Sequence, residues 1–405
     1  MEILYPRCAG LDVHKDMVMA RVRCVSEPAV DETRRFATTK GALIELQEWL
    51  SSHAVTHVAM EATGVYWKPA WHLLEEHFEL ILANAQHIKN VPGRKTDVND
   101  AAWIADLLAH GLINASFVPP QPIQELRDLT RTRKQLVREV SQHSLRIQKT
   151  LEDANIKLAS VLSDVLGHSG RAILNALIAG ETDPGRLADL ARGNARKKRS
   201  ELIQALHGRI SAHHRRLLKL HLGLIDSLQQ ALATVDADVG KILAPIQECA
   251  RLLTTMPGVS ELTAHILVAE IGVDMARFPT AGHLATMCPR NDESAGKRRS
   301  TRTRKGAPWL KTALVTAAWA AVRVKGSDLQ AQFLRLRARR GAKKAILAVA
   351  ASMLNAAWHM LKDRVEYKDL GADHFARRDR SKAIRRLVRR LNDLGCKVEL
   401  TAETA

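Results

Sequence analysis

The strongest constraint on this chain's fold is a change of hydrophobic period at a proline cluster. Pro119, Pro120 and Pro122 interrupt the sequence, and proline punctuates regular structure because it lacks an amide proton and fixes φ. Beyond them Leu126, Leu129, Leu136, Val140, Ile147, Leu151, Ala154 and Leu158 recur at near-heptad spacing, which predicts a long helix with an apolar seam. Arg133 and Ser144 fall on that seam. They weaken a strict coiled coil and leave room for a coiled-coil-like bundle with polar contacts. A second seam through Leu206, Ile210, His213, Leu217, Leu220 and Leu224 fits an antiparallel partner helix with an insertion between the two. Dimerisation and internal packing both satisfy such seams.

Before the prolines the pattern alternates. Residues 8–25 read as two strands around a turn at His14-Lys15-Asp16, 56–60 as a short buried strand and 80–83 as another; residues 42–51, 66–77 and 97–110 have helical spacing. The expectation is a mixed sheet with covering helices, an α/β domain, followed by all-α structure. From Pro245 onward helices alternate with Met256-Pro257-Gly258-Val259-Ser260 and a basic loop after Cys288, then run on as Ala-rich segments to about residue 364. We therefore expect four parts, at residues 1–117, 118–244, 245–365 and 366–405, the last a basic tail with eight Lys or Arg between residues 376 and 390.

Charge divides along the same boundary. The 405 residues hold 61 Lys and Arg against 43 Asp and Glu, a net charge of +18. Residues 1–117 carry 11 basic and 15 acidic side chains, net −4, which leaves +22 for the remainder. An excess of this size points to a polyanion, with nucleic acid favoured. The apolar stretches near residues 315–322 and 346–361 are short or broken by Ser352, Asn355 and His359, so no membrane partner is expected. The opening residues lack a secretory pattern, and five scattered cysteines support neither a disulfide framework nor a CxxC metal site. A cytoplasmic protein with reduced thiols is expected.

Four carboxylates stand out. Asp12 lies inside the first expected strand and Glu61 ends the apolar run Val58-Ala59-Met60, positions where a charge is costly unless partnered. Asp97 and Asp100 are three apart, hence on one helix face, behind Lys95-Thr96. Mg²⁺ or Mn²⁺ takes such oxygen ligands, and paired ions assist in-line phosphoryl displacement. Alone, Asp97 and Asp100 also suit helix capping and the helix dipole.

Gly10-Leu11-Asp12-Val13-His14-Lys15, Met60-Glu61-Ala62-Thr63-Gly64 and Lys95-Thr96-Asp97-Val98-Asn99-Asp100-Ala101 resemble the three acidic motifs of the IS110 family of insertion-sequence transposases. The resemblance implies a RuvC-like, RNase H type first domain in which Asp12, Glu61, Asp97 and Asp100 bind divalent metal. A second motif carries it further. Between Ser294 and Lys305 six of twelve residues are basic and none is acidic: Lys297, Arg298, Arg299, Arg302, Arg304 and Lys305. Read by itself this is a loop that grips phosphate. It resembles the family's C-terminal transposase domain, where a serine ahead of two small residues becomes covalently joined to DNA, and that position is Ser294 here, with Ser300 the fallback. This chain has Ser294-Ala295-Gly296 where the family commonly has Ser-Gly-Gly, and Ala307-Pro308 where Gly-Asn is frequent.

Met256–Ser260 and the following residues resemble a helix-hairpin-helix, placing Gly258 near a phosphate; Pro-Gly is also an ordinary connector. Trp67, Trp103, Trp309, Trp319 and Trp358 sit in helical patterns typical of core, and the pair His213-His214 reads as solvated. The family implies donor and target DNA, a noncoding guide RNA, and a homo-oligomer, dimer or tetramer, as partners. The rivals are a RuvC-like endonuclease or junction resolvase using water, and a nonenzymatic packaging protein that depends on Lys and Arg alone.

Overall fold

The computed structural model describes residues 2–25, 29–62, 64–83, 88, 100–113, 115–284, 292–294, 297–300, 308–374 and 380–398. It divides into two compact units, Met1–Val118 and Pro119–Ala405.

The first unit is built on a five-stranded sheet in the order β3-β2-β1-β4-β5. β1 (Arg7–Val13) turns into β2 (Met17–Cys24), and β2 pairs antiparallel with β3 (Val30–Ala37). β4 (His57–Glu61) runs parallel to β1, and β5 (Glu79–Ala83) parallel to β4. This is the RNase H type arrangement. Alternation does not predict β3, whose residues include Asp31, Glu32, Arg34 and Arg35, with Phe36 its one buried side chain. Charged edge strands of this kind resist pairing with other chains.

The two sheet faces have separate cores. Leu11, Val13, Val18, Val58 and Met60 pack with Leu43, Leu46 and Leu50 of α1 (Lys40–Ser52) and with Ala70 and Leu74 of α2 (Trp67–Leu74). On the opposite face Cys8, Ala59 and Ala83 pack with Ile104, Leu107 and Leu108 of α3 (Asp100–Ala109). Burial pushes the Cys8 thiol up to about 12, so that cysteine is an apolar core group rather than a nucleophile.

The second unit hangs on two long helices, α4 (Gln121–Asp153) and α5 (Ala212–Leu243). Contacts Arg133–Asp236, His143–His221 and Asp153–His214 show that they run antiparallel. The apolar seam is interrupted where the sequence put Arg133, which donates two hydrogen bonds to Asp236. Core forms at the two ends instead. Ile147, Leu151, Leu218, Leu222 and Ile225 join the short helices between residues 158 and 205 in one cluster. Ile123, Leu126, Val239 and Leu243 join the other, together with α6 (Gln247–Thr254) and α7 (Glu261–Ile271). His214 is not solvated: its ring accepts from the Ser211 amide to close a capping box and contacts Asp153, leaving 14% of the side chain exposed.

After the hairpin strands β6 (Asp292–Ser294) and β7 (Lys297–Ser300) come α8 (Pro308–Ala321), α9 (Asp328–Arg340), α10 (Ala342–Asp363) and α11 (Arg380–Asp393). By length and composition α10 is able to cross a membrane, contrary to the sequence reading of that stretch. Ser352, Asn355 and His359 do not disqualify it, yet ten of its side chains, from Ala345 to Leu361, are spent on the core of this unit.

Two glycines fix close approaches. A Cβ on Gly10 would lie 2.2 Å from the Ala101 carbonyl oxygen and 2.4 Å from the Ala105 amide nitrogen of α3. Gly258, at φ +79°, would place one 2.3 Å from the Ala317 oxygen and 2.5 Å from the Ala321 nitrogen of α8. Because the obstacles are backbone, we expect Gly10→Ala and Gly258→Ala each to destabilise by roughly 1–3 kcal/mol or more, read as a lowered thermal midpoint; an unchanged midpoint would show that the helices are not seated on these glycines.

Candidate functional site

Pleat and register bring the acidic residues of the first unit toward one edge. Leu11 of β1 pairs with Met60 of β4, and both face the α1–α2 core. Side chains alternate along strands, so Asp12 and Glu61, the next residues on each, turn to the opposite face on adjacent strands. That is the face on which Gly10 receives α3. α3 runs antiparallel to β1: the Ala109 carbonyl accepts from the Leu4 and Tyr5 amides, and the Ala105 carbonyl lies against Cys8 Sγ at 3.6 Å. Moving back along the helix therefore moves toward the carboxyl end of β1, and Asp100, its first residue, comes to the level where Asp12 and Glu61 leave the sheet.

The acids are shielded in different degrees. Glu61 is 8% exposed and the Asp12 side chain 13%; Oδ1 of Asp100 is buried. Asp12 Oδ2 accepts from His14 Nε2 at 3.0 Å. His14 follows β1, two residues beyond the acid, and the sequence signal for its role is that Asp-x-His spacing alone. Farther back along the sheet, where Arg23 of β2 lies opposite Cys8, Arg23 pairs with Asp106 of α3, tying helix to sheet.

An all-oxygen set of carboxylates suits a hard divalent cation. Among the described residues, no three His, Cys, Asp or Glu side chains converge closely enough to hold a metal ion. Asp97, with Lys95, lies outside the described residues. The donor chemistry thus fits Mg²⁺, while the described acids supply only part of a coordination sphere.

In the second unit the described part of the basic segment is not a plain loop. Asp292–Ser294 and Lys297–Ser300 are antiparallel strands, with Ser294 paired to Lys297, Glu293 to Arg298 and Asp292 to Ser300. Charged residues without apolar alternation conceal such a hairpin, although Ala295-Gly296 is a turn-like dipeptide. Ser294 thus ends one strand, and Lys297, Arg298 and Arg299 occupy the other. Arg302, Arg304 and Lys305 lie outside the described residues. Gly258 stands between α6 and α7, where Ser260 caps α7 by accepting from the Thr263 amide. Its packing against α8 gives the glycine a structural reason independent of any ligand. Of the tryptophans, Trp358 is core at 5% exposure whereas Trp319 is 41% exposed, so helical spacing did not place them all inside.

Comparison with known proteins converges on the motifs already located. Residues 9–156 match the DEDD transposase IS110 family model, described as a transposase, and span β1, β4 and α3. Residues 250–334 match the family described as Transposase IS116/IS110/IS902 and span Gly258 and the Ser294 hairpin. No curated protein matches the chain. With one match over the acidic sheet edge and the other over the basic hairpin, in the same order along the chain, the protein belongs to the IS110 family of DNA transposases, enzymes that cut and join DNA.

Proposed function

We propose that this transposase exchanges DNA strands through a phosphoserine intermediate on Ser294, at a composite site completed by Asp12, Glu61, Asp97 and Asp100 of another protomer. The observation that carries the acidic half is the register: Asp12 and Glu61 share one face of adjacent strands at the edge approached by the first residue of α3. Supporting the other half is the position of Ser294 at the end of a strand whose partner holds Lys297, Arg298 and Arg299.

In this reading the serine hydroxyl attacks the scissile phosphorus. The Oγ–P bond forms as one P–O bond to deoxyribose breaks; the serine proton passes to a base and the departing sugar oxygen takes one up. One phosphodiester replaces another, so the bond energy is kept and a second sugar hydroxyl can reverse the step onto a new strand without hydrolysis. The cationic strand holds the phosphate oxygens through charge-assisted hydrogen bonds. Asp12, Glu61, Asp97 and Asp100 would hold Mg²⁺ or Mn²⁺, which when bound offsets charge on the attacking and leaving oxygens. His14 orients Asp12. A structured noncoding RNA selects donor and target by base pairing, and the +22 charge beyond residue 117 is suited to holding both polymers. Lys95, Gly258, Arg302, Arg304 and Lys305 belong to the nucleic-acid surface in the same reading.

The test uses full-length protein, a labelled duplex spanning the element end, RNA transcribed from the element and Mg²⁺. We expect a protein–DNA adduct that survives denaturant; Ser294→Ala abolishes it and Ser300→Ala does not. Cleavage by Ser294→Ala without an adduct would instead favour water as nucleophile. Asp12→Asn and Glu61→Gln should each lower adduct yield by roughly a hundredfold or more while DNA affinity measured in EDTA stays within about twofold, as expected when phosphate contacts dominate binding. Retention of full activity by both would reduce the chain to a packaging protein.

A further inference from the structure

One indole in the second unit is surrounded by cations. The guanidinium carbons of Arg131 and Arg138 lie 5.8 and 5.5 Å from the Trp309 ring centroid, and Lys134 Nζ lies 5.5 Å from it. Arg131, Lys134 and Arg138 are spaced by three and four on α4 and so share one face; Trp309 is the second residue of α8.

The three charges are not equivalent. Arg131 is committed to the protein, donating from Nε and Nη2 to the two oxygens of Glu270 at 2.8 and 2.9 Å, and the Glu270 side chain is only 3% exposed. Arg127, one turn earlier, donates to the carbonyls of Ala269 and Glu270. Those bonds fasten α4 to α7. Among the described residues, Lys134 and Arg138 have no carboxylate within 4 Å. Burial, and then the charge of Arg138, lower the Lys134 ammonium below the usual lysine range. The fold thus holds two like charges together against their mutual repulsion.

A ring quadrupole attracts a cation without cancelling its charge. Trp309 therefore orders the ammonium and the guanidinium where a carboxylate would both order and neutralise them. The positive field survives, preorganised and directed at an anion from solvent. Trp309 also follows the Ser294 hairpin closely in sequence, only nine residues after Ser300 ends β7.

We propose that Lys134 and Arg138, held by the Trp309 ring, form a DNA phosphate clamp on α4, distinct from the hairpin cations and from the acidic edge. Its ligand is the backbone of duplex DNA, the substrate a DNA transposase must hold while its strands are cut. The clamp reads charge rather than base identity.

The experiment measures affinity of the full chain for a labelled 40-base-pair duplex of arbitrary sequence, in EDTA, across a series of salt concentrations. Working in EDTA separates the clamp from the proposed metal and serine chemistry. Lys134→Gln with Arg138→Gln should weaken binding roughly tenfold near physiological salt and flatten the log–log salt slope by about 1–2. Trp309→Leu, which removes no charge, should weaken binding several-fold, and Trp309→Phe should largely restore it. The control pair Arg146→Gln with Lys149→Gln, on the same helix away from the ring, should have a smaller effect. Circular dichroism melts confirm folding of each variant. Equal losses from the control pair, or wild-type affinity in Trp309→Leu, would overturn the clamp. So would a loss confined to a labelled RNA hairpin tested in parallel.

Discussion

The approach of α3 to β1 over a missing side chain is the contact on which the acidic edge of the first unit depends. Gly10 leaves room for the helix backbone to lie directly on the strand, and a helix rising 1.5 Å per residue against a strand rising about 3.3 Å brings its first turn to the strand's carboxyl end. A Cβ there would meet the backbone of α3 at 2.2 and 2.4 Å and force off the strand the helix that carries Asp100. Cys8, two residues earlier on the same face, serves the same seat with a small thiol whose ionisation burial opposes. The acidic edge is thus assembled by packing, before any ion is considered.

The second unit solves a different problem, stabilising a strongly basic chain without a continuous seam. Its long helices bury apolar side chains mainly toward their ends, while Arg133–Asp236 crosses the stretch between. Near one end buried Glu270 draws in Arg127 and Arg131. An unpaired buried carboxylate would cost several kcal/mol, so these arginines are structural as much as electrostatic. Lys134 and Arg138, farther along the same face, have an aromatic ring for company and keep their charge for another partner.

How much of this was legible in the sequence follows from where the signal lies. β1, β2, β4 and β5 show as apolar runs bounded by turns, and both long helices show as seams, because burial enforces periodicity. β3 and the Ser294 hairpin are invisible by that criterion: one is a charged edge strand, and the other is rich in Lys and Arg, which are rarely buried. Asp12 and Glu61 were legible as charges at strand positions, which are expensive enough to demand a reason. Their adjacency was not, since it depends on the parallel register of strands nearly fifty residues apart. The surroundings of Trp309 were not legible for the same reason. Helical spacing predicts which residues share a face, but the neighbour across that face came from α4, more than 170 residues earlier.

The charge segregation follows from what each surface must do. Carboxylates crowded at a sheet edge repel phosphate, so an acidic cluster embedded in a basic field would attract DNA indiscriminately and surrender its own acids to nearby Lys and Arg. Ion pairs with those cations would occupy the oxygens that a divalent cation needs. Keeping residues 1–117 at net −4 while the rest of the chain carries +22 avoids that competition. Within the same unit Arg23 is engaged by Asp106 and Arg21 by Asp31, which commits these two guanidinium groups to acids other than Asp12, Glu61 and Asp100.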